Sequence, residues 1–139
     1  MQVGKAIYYI LANDTNVSSM VSDKIFPLVA PATTTFPFII YEIYNDNPTM
    51  DKDGVSKLDE YDVRITAYHE LYTSLCRIGS NIRVALDRVA TYPSTTYSGI
   101  VVQSISFENV RDEFDFDSGR RGVYRQELQF KIRVIRVIE

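Results

Sequence analysis

The sequence predicts an α+β domain in which helices pack on one face of an antiparallel β-sheet, in the order α-(α)-β-β-α-β-β. Apolar residues recur every three or four positions in 3–11 and again in 70–89, which is the spacing of a helix with one buried face. Apolar and polar residues alternate in 61–68, which is the spacing of a half-buried strand. Because the 70–89 helix stands between two groups of predicted strands, the element order is that of an α+β fold.

Two helices and an extended connector are predicted before the first strand. Asn13 and Asp14 can end the first helix and cap a second, shorter one that carries Val17 and Val21. Within Ile25–Pro37, three prolines and three consecutive threonines exclude a helix and favour an extended connector.

A hairpin is predicted to follow this connector. Phe38–Tyr44 is too rich in β-branched and aromatic residues for a helix of that length, and Tyr61–Tyr68 alternates, so the two segments are expected to pair. The polar stretch Asn45–Lys57 lies between them and contains Asp53-Gly54, which is typical of a turn.

The last part of the chain is predicted to hold two long strands after the Glu70–Val89 helix. These strands are Gly99–Val110 and Val123–Ile138, and the second alternates apolar residues with charged ones. At ~3.3 Å per residue the second strand spans about 50 Å. A small core does not require that length, so we expect part of this strand to protrude or to pair beyond its own sheet.

Composition limits the class of protein. With 139 residues, 45% hydrophobic and 24% charged, the chain is expected to form one globular domain over 1–139. No apolar run is long enough to cross a membrane, and no secretion-signal pattern is visible, so no membrane partner is expected. The net charge of −3 gives no indication of nucleic-acid binding. The single Cys76 fits a reducing, cytoplasmic-type compartment.

Residues that could carry catalysis are sparse. His69 lies at a strand-to-helix junction, where a capping or surface role is more common than a place in a catalytic triad. Cys76 lies among apolar residues of a predicted helix, where it is expected to be a small packed side chain. One Cys and one His cannot supply the usual zinc ligands, and the six glycines form no phosphate-binding loop. We therefore expect no catalytic residue, no cofactor and no metal.

One metal-binding pattern is partly matched. Thr49, Asp51, Asp53, Gly54 and Glu60 occupy positions 1, 3, 5, 6 and 12 of a calcium-binding loop. The first position is Thr rather than Asp, and strands rather than helices flank the segment. A hairpin turn explains the glycine, so a turn rather than a calcium site is expected.

The segment Arg111–Gly122 is the most unusual in the sequence. It holds four acidic residues and three arginines around Phe114 and Phe116. Acid–base catalysis by paired carboxylates, a solvated tip and a partner-binding loop are all compatible with it. Aromatic anchors among charges of both signs favour a loop that is mobile in the free subunit and orders on contact with a partner.

Several short motifs resemble the tail-completion (tail-terminator) family of long-tailed bacteriophages. Members of that family carry a charged-Ile-aromatic-Pro element, here Lys24–Pro27, and a Pro-aromatic-aliphatic-Tyr strand, here within Phe36–Tyr41. Tyr61–Tyr68 with the helix after it, and the closing strand with Tyr124–Phe130, are also similar to the family. The resemblance covers almost the whole chain apart from its two polar loops.

This resemblance implies a structural virion protein that caps the end of the tail tube, stops its polymerisation and joins the head or neck. It implies a homo-oligomeric ring, commonly a hexamer, whose partners are its own copies, the tail tube protein and a head or neck connector protein. The implied location is the tail–neck junction of a virion assembled in the host bacterial cytoplasm, with DNA passing through the ring without specific binding. The candidate interface residues are Asp51, Asp53, Asp112, Glu113, Phe114, Asp115, Phe116, Asp117, Arg120 and Arg121.

Two other functions remain open at this point. A head–tail connector or neck protein of the same virion would share this composition and differ in its contact partners. A small cytoplasmic enzyme or ligand-binding domain is the alternative from another class, and the scarcity of His, Cys and glycine-loop motifs counts against it.

Overall fold

The computed structural model describes residues 3–51, 54–91, 95–97, 99–117 and 121–135, with side chains for 3–46, 59–87, 99–115 and 122–135. The elements in chain order are α1 (Val3–Ala12), α2 (Thr15–Val21), β1 (Ile25–Pro27), β2 (Phe38–Asp51), β3 (Gly54–His69), α3 (Tyr72–Thr91), β4 (Thr95–Tyr97), β5 (Ile100–Asp117) and β6 (Arg121–Ile135). The predicted α+β class and the order of its main elements are confirmed.

The strands form one sheet, which in the described part of the chain has six strands in the order β1-β2-β3-β6-β5-β4. β1 runs parallel to β2, whereas each other neighbouring pair is antiparallel. The short strands β1 and β4 were not predicted, and β1 lies inside the expected connector. Pro27 excludes a helix, but it is tolerated on the edge of a sheet, where its missing N–H is not needed.

β6 is a central strand, with β3 on one side and β5 on the other. From Tyr124 to Ile135 its residues pair with both neighbours, whereas Arg121–Val123 pair with β5 alone and extend past the end of β3. Its length is matched because β3 has 16 residues and β5 has 18. Positions 136–138 lie outside the described residues.

The predicted hairpin of β2 and β3 is confirmed, but it is longer than expected. Its ladder runs from the pair Phe38–Tyr68 to the pair Asp51–Gly54. Most of the polar stretch 45–57 is therefore strand rather than turn. Polar residues can extend a hairpin beyond the core, because neither of its faces has to be buried there.

The core lies on the face of the sheet that the helices cover. Alternate residues of β3 and β6 are buried there, namely Tyr61, Val63, Ile65, Ala67, Leu128, Phe130, Ile132 and Val134. α1 and α3 pack their own apolar stripes on this face, and full burial of each large aliphatic or aromatic side chain contributes about 1.5–3 kcal/mol. Asp14 caps α2 as predicted, since its carboxylate accepts a hydrogen bond of 3.0 Å from the Val17 amide.

Candidate assembly surface

The β5–β6 hairpin carries most of the sequence-predicted interface residues. Pairing between these strands continues to Asp117 and Arg121, so the expectation of a loop over Arg111–Gly122 is wrong. Charged residues are frequent in this segment, and from the sequence alone they favour a solvated or mobile loop. The structure shows instead that unlike charges face one another across the ladder, which stabilises a strand pair outside the core.

Two such pairs belong to the ladder itself. Arg111 lies opposite Glu127, and Glu113 lies opposite Arg125. The Glu113 carboxylate accepts hydrogen bonds from the guanidinium groups of both Arg111 and Arg125. The Arg125 guanidinium also lies 3.4 Å from the Asp115 carboxylate. The carboxylates of Glu113 and Asp115 are therefore held by arginines.

Aromatic rings occupy the helix-bearing face near the end of the hairpin. The Phe114 ring lies 4.6 Å from that of Tyr124, and the Tyr124 ring lies 5.4 Å from that of Tyr72 at the start of α3. The Phe114 ring occupies space that is open because residue 122 is glycine, since a Cβ at position 122 would lie 1.7 Å from the ring. Phe114 is nevertheless 42% exposed, so part of this ring is available to another molecule.

A polar network ties the hairpin to α3. The Asp112 carboxylate accepts a hydrogen bond of 2.7 Å from the Tyr72 hydroxyl and one of 2.9 Å from the Gln126 amide. The hydrogen bond between Tyr72 and Asp112, together with one to Cys76, raises the pKa of Tyr72. Gln126 is buried in the core beneath Gly79, and a Cβ at position 79 would lie 1.6 Å from its side-chain oxygen. Gln126 was missed by the sequence analysis, although a glutamine at an inward position of a strand is itself a signal.

An exposed ridge results on the outer side of β5. Three alternate residues of β5 point to the helix-bearing face, namely Val110, Asp112 and Phe114. Their respective partners in the ladder, Leu128, Gln126 and Tyr124, lie on that same face. Val110 and Tyr72 are each 46% exposed. We call Tyr72, Val110, Asp112 and Phe114 the hairpin ridge, which combines apolar side chains with one central carboxylate.

The opposite face of the sheet, called the open face, carries paired charges. The Arg64 guanidinium lies 2.6 Å from the Glu42 carboxylate and 2.7 Å from that of Glu127. The Glu60 carboxylate contacts both Lys131, at 3.4 Å, and Arg133, at 3.0 Å. The hydrogen bond from Arg133 lowers the pKa of Glu60, and the negative charge of Glu60 raises the pKa of Lys131.

A groove opens at the other side of the sheet, where β1 ends and leaves the rest of β2 uncovered. It has a volume of about 430 Å³. Its lining comes from α1, from the end of β1 and from β2, namely Gly4, Lys5, Pro27, Leu28, Tyr41, Glu42 and Ile43. We call these residues the edge groove.

The edge groove is lined mainly by apolar side chains, and its two charged lining residues are Lys5 and Glu42. Gly4 allows α1 to approach β2 closely, since a Cβ at that position would lie 3.2 Å from the Tyr41 ring. Burial, with a smaller contribution from Tyr8, raises the pKa of Tyr41. Leu28 is 69% exposed beside the groove, and Lys5 is exposed at its edge. The groove and the hairpin ridge therefore lie at opposite sides of one sheet, and both open on the helix-bearing face.

Comparison with known proteins gives the family of this chain. Residues 5–135 match the family described as "Tail completion protein gp17". The chain belongs to this tail completion family. A chain in the solved structure titled "Virion of native gene transfer agent (GTA) particle" has the same fold, with a TM-score of 0.70 and 18% identity over 93% of this chain and 91% of that one. No curated protein matches the sequence.

Family membership confirms the resemblance found in the sequence motifs. Proteins of the tail completion family are structural components of bacteriophage tails, so this chain is a structural protein of that class. The match excludes only a few residues at each end, and it includes the hairpin ridge and all of the edge groove except Gly4.

The structure separates the sequence-predicted interface residues into two groups. Asp51 ends β2 at the far end of the other hairpin, and Asp53 lies outside the described residues. Asp112, Glu113, Phe114 and Asp115 lie on β5, followed in the same strand by Phe116 and Asp117, and Arg121 begins β6. Arg120 lies outside the described residues. The two hairpins extend from opposite ends of the sheet, so these two groups are not brought together.

The residues weighed for catalysis have structural partners. The His69 Nδ1 accepts a hydrogen bond of 3.0 Å from the Leu71 amide just before α3. Burial lowers the pKa of His69. Cys76 lies partly buried in α3. Among the described side chains, no group of three or more His, Cys, Asp or Glu is arranged to hold a metal ion.

Across the residues that the structure describes, no helix is both long enough and apolar enough to span a membrane.

Proposed function

We propose that this chain is a non-enzymatic protein that closes the finished end of a phage tail tube. Identical copies form a ring, commonly a hexamer, that stops polymerisation of the tube protein and presents a joining surface to the head or neck. Membership in the tail completion family supports this proposal.

The observation that carries the ring is the presence of two unlike exposed regions at opposite sides of one sheet. The edge groove is concave and has Lys5 in its lining, whereas the hairpin ridge exposes Val110 and Phe114 on either side of the Asp112 carboxylate. Contacts between unlike surfaces of identical copies are heterologous, and they produce either a closed ring or an open helix. In a closed ring every contact surface between copies is occupied, so no further copy can be added. The end of a finished tube requires such an assembly.

The proposed partners follow from this position at the tail–neck junction. They are other copies of the chain, the tail tube protein and a head or neck connector protein, and assembly takes place in the host bacterial cytoplasm. DNA passes through the ring without specific binding. In support, each of the open-face bases Arg64, Arg111, Arg125, Lys131 and Arg133 lies beside a carboxylate, so this face offers little unpaired positive charge to phosphates.

The test is an elongation assay with the tail tube protein encoded by the same phage. Preformed tubes are incubated with the purified chain and then supplied with fluorescently labelled tube protein, and labelled extensions are measured by microscopy. We expect one end of each tube to stop growing, while tubes without the chain continue to grow. Unchanged growth at both ends would contradict the capping function, and binding to purified heads in that case would favour a connector protein.

A further inference from the structure

The edge groove and the hairpin ridge match each other in shape and chemistry. The groove offers the apolar side chains of Leu28, Tyr41 and Ile43 with the Lys5 ammonium group, and its one carboxylate, Glu42, is paired with Arg64. The ridge offers Val110 and Phe114, both more than 40% exposed, on either side of one carboxylate. Exposed apolar side chains on a soluble domain are typical of surfaces that another protein covers.

We infer that the edge groove of one copy receives the hairpin ridge of the next copy, and this inference deepens the proposed ring by naming its contact surfaces. The occupant of the groove is therefore a second copy of this chain. Val110 and Phe114 enter the apolar part of the groove, and Lys5 at the rim approaches the Asp112 carboxylate.

Charge supports a second copy as the occupant. Asp112 already accepts hydrogen bonds from Tyr72 and Gln126. An ionised carboxylate has about four acceptor positions, so it can also accept a hydrogen bond from an ammonium group. Lys5 is exposed beside the groove and can supply that group without losing a described ion pair. A contact that desolvates such a pair between apolar neighbours adds orientation as well as affinity.

The position of the two surfaces in the fold supports the same contact. β2 and β5 are separated in the sheet by β3 and β6, so the groove and the ridge lie on opposite sides of the domain. A copy can then use its groove and its ridge at once, as every member of a ring must.

The test is cysteine cross-linking between copies of the purified chain, because the proposed contact needs no other component. Lys5→Cys and Val110→Cys are combined in a Cys76→Ala background and treated with a short bismaleimide. We expect a ladder of cross-linked species on a denaturing gel. Each single-cysteine variant should give none, because the contact joins unlike surfaces.

The matched control pairs Lys5→Cys with Ser106→Cys, which is also exposed on β5 but lies on the strand beyond the ridge and on the open face. This pair should not cross-link. A ladder from the control, or no ladder from the Lys5–Val110 pair at concentrations where light scattering detects association, would overturn the inference. A chain that remains monomeric at millimolar concentration would overturn it as well.

A second measurement protects the test against misfolding of the double variant. Lys5→Glu should raise the dissociation constant between copies by at least roughly tenfold, since two carboxylates then meet. Arg77→Glu makes the same charge change at an exposed position of α3 and should alter it by less than about twofold. Equal effects of Lys5→Glu and Arg77→Glu on the dissociation constant would contradict the inference. The tube-capping assay on the unmodified chain is independent, so failure of capping with an intact ladder rejects the function and leaves the contact standing.

Discussion

Gly79 in α3 offers a test in which the effect of one substitution on stability should change sign with the residue at position 126. A Cβ at position 79 would lie 1.6 Å from the side-chain oxygen of Gln126 and 2.8 Å from its amide carbon. The three heavy atoms nearest to this Cβ all belong to the Gln126 side chain. Gly79→Ala therefore has to displace the buried Gln126 side chain.

The magnitude follows from two opposing effects. Alanine in place of glycine in a helix interior stabilises it by about 1 kcal/mol. Displacement of Gln126 removes its hydrogen bond of 2.9 Å to the Asp112 carboxylate. A hydrogen bond to a charged group contributes about 1.5–3 kcal/mol, so we expect Gly79→Ala to lower the free energy of unfolding by about 1 kcal/mol. In a Gln126→Ala background the obstruction is absent, and the same substitution should raise the free energy of unfolding by about 1 kcal/mol.

Urea denaturation of the four variants (wild type, two single variants and the double variant) measures both differences. A change of 1 kcal/mol corresponds to about 3 °C in melting temperature for a domain of this size, which is within reach of a thermal scan. If Gly79→Ala stabilises the chain in both backgrounds, the close contact between α3 and Gln126 is not what makes glycine necessary. The reasoning about this packing would then be refuted.

Three further predictions concern the ridge, the open face and the residues weighed for catalysis. Phe114→Ala should lower the free energy of unfolding of the monomer by only about 1–2 kcal/mol in a urea titration, because the ring is partly exposed. The same substitution should abolish association in light scattering. A large loss of stability with association unchanged would place the ring in the subunit core. The folded-state pKa of Glu60 lies below its unfolded value of about 4.3, so the stability it contributes is present above that pH and is lost as pH falls through the folded pKa. Glu60→Gln should therefore make acid unfolding between about pH 5 and pH 3 less steep, and an unaltered acid-unfolding curve would count against the Arg133 contact. His69→Ala and Cys76→Ala should each leave association intact and cost about 1–2 kcal/mol in stability, whereas loss of association by a folded variant would assign that residue a functional role.

The sequence was most informative where one face of an element is buried. The alternation in Tyr61–Tyr68 and the stripe of the long helix predicted strand β3 and helix α3, because burial of a single face imposes a period on the residues. β1 and β4 have three residues each, which is too short for a period to be recognised. Their pairing depends on the edges that β2 and β5 present, and those edges exist only in the folded sheet.

The largest difference between the predicted and the observed structure concerns a charged strand segment. Arg111–Asp117 has no apolar alternation that a core would impose, so it was interpreted as a loop. Its strand conformation depends on pairing with residues of β6, such as Arg125 opposite Glu113. Pairs of this kind are contacts between segments, and the composition of one segment does not reveal them. The same is true of the edge groove, which α1, the end of β1 and β2 form together.

The hydrogen-bond network around Asp112 gives the hairpin a role that a mobile loop could not have. Gln126 and Tyr72 hold Asp112 from the core side, and Glu113, on the alternate face, is held by two arginines. Both faces of β5 are therefore fixed at the position where Phe114 and Val110 are exposed. A surface that is ordered before it meets its partner loses less side-chain and backbone entropy on binding, and this loss is one of the main costs of association. A ring of identical copies needs the same geometry at every contact if it is to close, so a rigid ridge suits a closed assembly better than a loop that orders separately at each contact.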